Sequence, residues 1–148
     1  VRIHAGGTRV VLVVGDRAYK IAKFRPLKVL DRLCAMSVDK KEFDRLYQKH
    51  RHNKFGIMMR VFCAGLRANW AEWRYWNRTH DSRCSPSIAL WLGGLVLVQC
   101  SVESVDDDEV LSSPLRHLWE TDEEFAKPSQ FGRDVEGNIV IVDYASLA

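Results

Sequence analysis

The sequence predicts an α+β fold: an antiparallel sheet of about five strands, one long helix, extra inserted helices and a reduced C-terminal portion. Three observations carry this. Short apolar runs bounded by Gly, Asp or Pro recur on both sides of the chain's middle, the pattern of strands. Between them lies a long run of apolar residues spaced by three or four, the pattern of an amphipathic helix. A length of 148 residues with 47% apolar content suits one compact domain around one core.

Taken in order, residues 8–14 and 17–23 flank Gly15-Asp16-Arg17 and read as a tight hairpin. Pro26 ends the second strand, because it lacks the N–H a strand would use. Leu27, Leu30, Leu33 and Cys34 give a weak helical pattern over 27–36. Ser37 or Asp39 could cap a following helix from Lys40 to about His52, with Phe43, Leu46 and Tyr47 on one face. The strongest pattern comes next: Phe55, Met59, Phe62, Leu66, Trp70, Trp73 and Trp76 or Asn77, ended by the polar run 78–82. Pro86 opens two strands, 87–92 and 95–100, with Gly93-Gly94 as a two-residue turn that needs positive φ. Asp106-Asp107-Asp108-Glu109 suits the start of a short helix, where negative charge meets the positive end of the dipole. Residues 114–136 show no clear period. A last strand over 138–143 follows the Glu136-Gly137 turn.

Composition narrows the function classes. No apolar run approaches the ~20 residues that cross a bilayer, so no membrane partner is expected. The opening residues carry no secretory pattern, and the four cysteines (Cys34, Cys63, Cys84, Cys100) form no C-x-x-C pair. Free thiols in a reducing cytoplasm are the expectation. No G-x-S-x-G, H-E-x-x-H or Walker loop occurs. His117 and Asp122 are five apart, but no nucleophile stands beside them. The net charge of +3 hides a polarity. Residues 1–78 hold 18 Lys/Arg against 6 Asp/Glu, a balance of +12; residues 79–148 hold 4 against 13, a balance of −9. Either the halves attract each other, or a basic face meets an anionic partner.

Four segments stand out together: Gly6-Gly7-Thr8-Arg9-Val10-Val11, Tyr19-Lys20-Ile21-Ala22, Leu66-Arg67-Ala68-Asn69-Trp70-Ala71-Glu72, and Gly137-Asn138-Ile139-Val140-Ile141-Val142-Asp143-Tyr144. Gly loop, strand lysine, helix glutamate and post-strand aspartate, in that order, resemble the protein-kinase-like superfamily, in particular small divergent members from bacteria and phages. The resemblance implies a kinase-like N-lobe with a reduced C-lobe. Its parts would be a Gly loop and strand pair (1–26), a helical insertion (27–60), the helix carrying Glu72 (61–80), a strand pair and hinge (85–101) and the C-lobe remnant (102–148). It further implies ATP and Mg as cofactors. Gly6 and Gly7 would approach the phosphates, Lys20 would neutralise them and Glu72 would hold Lys20. Leu97 to Ser101, including Gln99, would meet the adenine ring. Asp143, in the D-F-G position, and Gln130, in the catalytic-loop asparagine position, would hold metal.

The chain departs from the family where the chemistry is done. Aligning Gln130 with that asparagine puts Phe125 where the catalytic aspartate belongs, and a phenyl ring accepts no proton. The loop is one glycine short, and Ala145 replaces the glycine of D-F-G. The expected function is therefore a degenerate, pseudokinase-like binding or regulatory module, with retention of nucleotide left open and a protein partner favoured over nucleic acid. Two alternatives stand. One is an active small ATP-dependent kinase using Asp122 or Glu124 as a displaced carboxylate. The other is a basic accessory protein for nucleic acid or a protein, such as a phage-encoded inhibitor. Its basic N-terminal half would bind phosphates, best at Lys49-His50-Arg51-His52-Asn53-Lys54 with Tyr47 and Phe55, or its acidic half would mimic them. Plainer readings exist for each residue: Lys20 on a hairpin edge, Asp143 ending a strand at a turn, Trp70, Trp73 and Trp76 packing a core, and the basic run as a solvated helix end.

Overall fold

The computed structural model describes residues 1–30, 54–121, 127–144 and 147. Five strands, β1 (Arg2–Ala5), β2 (Arg9–Val14), β3 (Arg17–Ala22), β4 (Ser87–Trp91) and β5 (Val96–Cys100), form one antiparallel sheet in the order β1-β2-β3-β5-β4. Two further strands, β6 (Phe131–Arg133) and β7 (Ile139–Ile141), make a separate antiparallel ribbon. The fold is α+β, as expected, but the membership of the sheet differs. The run 138–143 is not a sheet strand; it shortens to β7 and pairs with β6. Its place is taken by β1, four residues too few for a clear pattern and all of them exposed. With β1 in place, Gly6-Gly7-Thr8 becomes the turn of a hairpin, Gly6 N–H donating to Arg9 O at 2.9 Å.

The long helical pattern is two helices, α1 (Lys54–Phe62) and α2 (Ala64–Thr79). They break at Cys63, where ψ is 21°, although Cys63 N still donates to Met59 O and Arg67 N to Cys63 O. The kink changes the inward face: Met58 is buried while Met59, expected inside, is exposed. His80, in the left-handed region at φ 46°, ends α2 and returns its N–H to Trp76 O at 2.8 Å. Between β4 and β5, Trp91 pairs with Val96, so the turn has four residues rather than two. Gly94 is required there because its φ is 98° and a Cβ would strike the Trp70 indole.

Residues 26–30 are helical from Pro26 onward, a residue whose fixed φ suits a first helical position. The remainder of the expected helix to Met36, the expected helix from Lys40 to His52, and the basic run 49–53 lie outside the described residues. The acidic run does start a helix, α3 (Asp107–Leu111). Asp106 and Glu109 form a reciprocal capping box, with Glu109 N donating to Asp106 Oδ1 at 2.9 Å. The segment read as aperiodic contains α4 (Arg116–Thr121) and β6. These C-terminal elements surround a core of Cys84, Val105, Val110, Leu115, Phe131 and Tyr144, against which Trp76 packs.

Helix α2 lies over the sheet, and its buried residues, Gly65, Asn69 and Glu72, form one stripe. Trp70 is not core: it is 39% exposed, edge-on to Trp73, and donates Nε1–H to Gly93 O. The first residue of the stripe sets how closely the helix approaches. A Cβ at Gly65 would overlap the Thr8 carbonyl oxygen and lie 3.1 Å from Ala22 Cα, both backbone atoms that cannot swing away. Gly65→Ala should therefore destabilise the protein by about 1–3 kcal/mol despite alanine's better helix propensity. Urea denaturation of the variant beside the parent would show this, and an unchanged midpoint would refute the close approach.

Candidate functional site

Alternation along the strands decides which side chains meet. Register pairs Val11 with Lys20 and Lys20 with Leu97, and pairs Val13 with Ala18 and Ala18 with Gln99. Cross-strand partners share a face, so Arg9, Lys20 and Gln99 project from the face that α2 covers. From α2 come Asn69 and Glu72, one turn apart. From beyond β7 come Val142, Asp143 and Tyr144.

Glu72, wholly buried, is the hub. Its Oε1 accepts from Arg9, and its Oε2 accepts from Lys20 Nζ at 2.6 Å and Gln99 Nε2 at 3.0 Å. Lys20, only 2% exposed, also donates to Val142 O at 2.6 Å. Arg9 reaches onward to Asp143 Oδ2 at 2.6 Å. Asn69 ties the helix to the sheet through Nδ2, which donates to Lys20 O and Gly94 O, both at 2.9 Å. Tyr144 closes the far side: its hydroxyl donates to Ser85 O at 2.9 Å and lies 2.7 Å from Ser87 Oγ and 3.0 Å from Gln99 Nε2. Two cations thus face two carboxylates, and the cluster is neutral.

Burial works against every charge here, and the pairs oppose it. Burial pushes Lys20 down and Glu72 up, each opposed by the other's charge. Arg9 is raised: burial would lower it, but Glu72 and Asp143 prevail. For Asp143 burial would raise the carboxyl, yet the Arg9 and Lys20 cations hold it down at about 2. Elsewhere, burial pushes the Cys84 thiol up to about 12, which leaves it an inert thiol, and the three described cysteines are free.

Lys20, Glu72, Gln99 and Asp143, all expected at one site, do converge. The Gln99 side chain serves the ion pair through Glu72 Oε2. Gly6 and Gly7 stay exposed in the β1–β2 turn, where Gly6 O accepts from Lys23 Nζ at 3.0 Å. Gln130 comes beside Asp143 through its backbone, its O accepting from Val142 N at 2.8 Å. Its buried Oε1 has no hydrogen-bond partner among the described residues, nor has that of Gln99. Asp122, Glu124, Phe125 and Ala145 lie outside the described residues. Sequence reasoning missed Arg9, Asn69 and Tyr144. Arg9 could have been found by counting: it alternates with Val11 and Val13 and so shares their face.

A groove of about 450 Å³ opens on the same sheet face, beside the cluster. Val11, Val13 and Ala18 form its roof, Phe131 and Val142 its floor, and the chain from Cys100 to Val105 one wall. Its size and mostly apolar walls suit a small molecule. A divalent metal suits the site less. A hard cation needs oxygen ligands with negative charge to spare. Asp143 already shares its charge with Arg9, and Gln130 adds one neutral oxygen. Among the described residues no three His, Cys, Asp or Glu side chains are grouped to hold a metal.

Glu72→Ala should cost about 3–5 kcal/mol, because it leaves Lys20 buried without a carboxylate and takes from Arg9 one of its two. Thermal or urea unfolding measures it, and a loss below 1 kcal/mol would mean the hub is not structural. Asp143 yields an acid signature. Its folded pKa of about 2 lies below the ordinary 3.8, so its stabilisation is full above about pH 4 and lost as pH falls towards 2. Discounted for a side chain 40% exposed, the effect is about 1 kcal/mol. Asp143→Asn should flatten the stability–pH curve in that window, only in part because Arg83 also holds Asp81 at about 2. Identical slopes in parent and variant would contradict the Arg9–Asp143 pair. No family model, curated protein or solved structure matches this chain.

Proposed function

We propose that the chain is a degenerate kinase-like module that binds or regulates and does not transfer phosphate, with its groove retaining a nucleotide-type ligand. The observation that carries the reading is the closed charge cluster. Lys20 and Glu72 meet at 2.6 Å, the pairing the kinase resemblance implies. Yet Lys20 is buried with a second acceptor in Val142 O, and Arg9 bridges Glu72 to Asp143. Phosphoryl transfer depends on positioning and on charge free to stabilise the transferring group. Here that charge is already neutralised within the protein. The alignment that places Phe125 at the catalytic position points the same way.

As a module it would act through a partner, and a protein suits it better than nucleic acid. The exposed acidic start of α3 would repel a phosphate backbone crossing this domain. No described helix is long and apolar enough to cross a membrane.

Purified protein with Mg-ATP should show no autophosphorylation and no ATP hydrolysis above background. Turnover approaching the ordinary kinase scale of roughly 1–100 s⁻¹ would replace this reading with that of an active kinase. Asp122→Asn and Glu124→Gln would then identify the displaced carboxylate.

A further inference from the structure

Beside the neutral cluster, the groove has a polar edge of its own. Arg2 and His4 line it from β1. They pair with Val13 and Val11, so all four side chains leave the same sheet face. Two residues apart on a strand, Arg2 and His4 stand roughly 6–7 Å from each other. Neither has an ion pair or side-chain hydrogen bond among the described residues, and both are exposed. The inner cations differ: Lys20 and Arg9 are buried on Glu72 and Asp143. The lining has one acid, Glu103, on the wall formed by residues 100–105.

We infer that this groove takes a small molecule with a flat, largely apolar body and an anionic group, held without a divalent cation. Arg2 and His4, not Lys20, receive the anion. The inference rests on the groove being the ligand site of the proposed module, and it assigns the ligand's class and direction. The flat body packs between Val11, Val13 and Ala18 above and Phe131 and Val142 below. A hydrogen-bond donor on that body suits the Glu103 carboxylate. An anion directed inward would have to open the Arg9–Asp143 pair and expose two carboxylates to itself. Directed outward, it meets two donors with nothing to give up. Metal adds nothing, because Arg9 already supplies the positive charge that Asp143 needs.

The test titrates the whole chain in EDTA with AMP, adenosine, 2-naphthoate and 2-naphthamide, and with ATP in EDTA or Mg, read by calorimetry and thermal melting. An anion should bind about tenfold tighter than its neutral counterpart, and Mg should not raise the affinity for ATP. Preference for AMP over adenosine assigns a phosphate ester, and preference for 2-naphthoate over 2-naphthamide a carboxylate; either carries the proposal. Arg2→Gln with His4→Gln, on an exposed edge strand, should bring the anion down to the neutral compound while leaving the melting temperature of free protein unchanged. Equal binding of anion and neutral pairs, an anion preference that survives the double variant, no binding at all, or ATP binding only with Mg overturns the proposal. These outcomes leave the non-transferring module standing, although no binding at all would also take the nucleotide-type ligand from its groove. Turnover of ATP would instead remove the module reading.

Discussion

Burying the Glu72 carboxylate is the constraint on which the rest of the structure depends. An ionised carboxylate out of water is tolerable only if donors surround it. No single element here could supply them. Arg9 comes from the start of β2, Lys20 from the middle of β3 and Gln99 from β5, while Glu72 itself comes from α2. The register of three strands and the seating of one helix must therefore be right at once. A one-residue slip in β3 would turn Lys20 to the other face and leave the carboxylate bare.

The same requirement shapes the helix. Its buried stripe begins with a glycine, continues with an asparagine and ends in a glutamate, hardly an apolar face. Gly65 brings the helix against backbone, and Asn69 satisfies carbonyls in the middle of β3 and in the β4–β5 turn. The C-terminal segment is recruited by the same charges: Lys20 holds the Val142 carbonyl, Arg9 holds Asp143, and Tyr144 joins Gln99, Ser85 and Ser87. Polar groups thus join the sheet to the C-terminal core, where apolar packing then contributes. Such a network favours one arrangement over others more than it adds net stability, since each charge loses its water.

This architecture separates two kinds of positive charge. The inner cations are committed to carboxylates and hold the fold. The outer one, Arg2 at the lip of the groove, is free of such duty among the described residues. On the proposed reading, this commitment of Lys20 and Asp143 to partners within the protein is what would keep the site from transferring phosphate. Arg9 makes the difference, because one guanidinium engages both Glu72 and Asp143.

The sequence by itself determined much of the local structure: the β2–β3 and β4–β5 hairpins, the helical stretch through Glu72 and the acidic helix start; the meeting of Lys20, Glu72 and Asp143 is expected only from the family resemblance. These are legible because they depend on short-range periodicity and on the order of a few polar residues. Only the tertiary structure decided the rest. Counting places Arg9 on the face of Val11 and Val13, but only the helix laid over that face makes it a buried bridge between Glu72 and Asp143. Strand β1 is only four residues long and exposed throughout, so pairing with β2 is what creates it. Trp70 has the spacing of a core residue, yet the kink at Cys63 and the close approach at Gly65 turn the polar stripe inward and leave the indole near solvent. Burial and ion pairing are properties of what lies opposite a residue, and what lies opposite is fixed by contacts between distant parts of the chain.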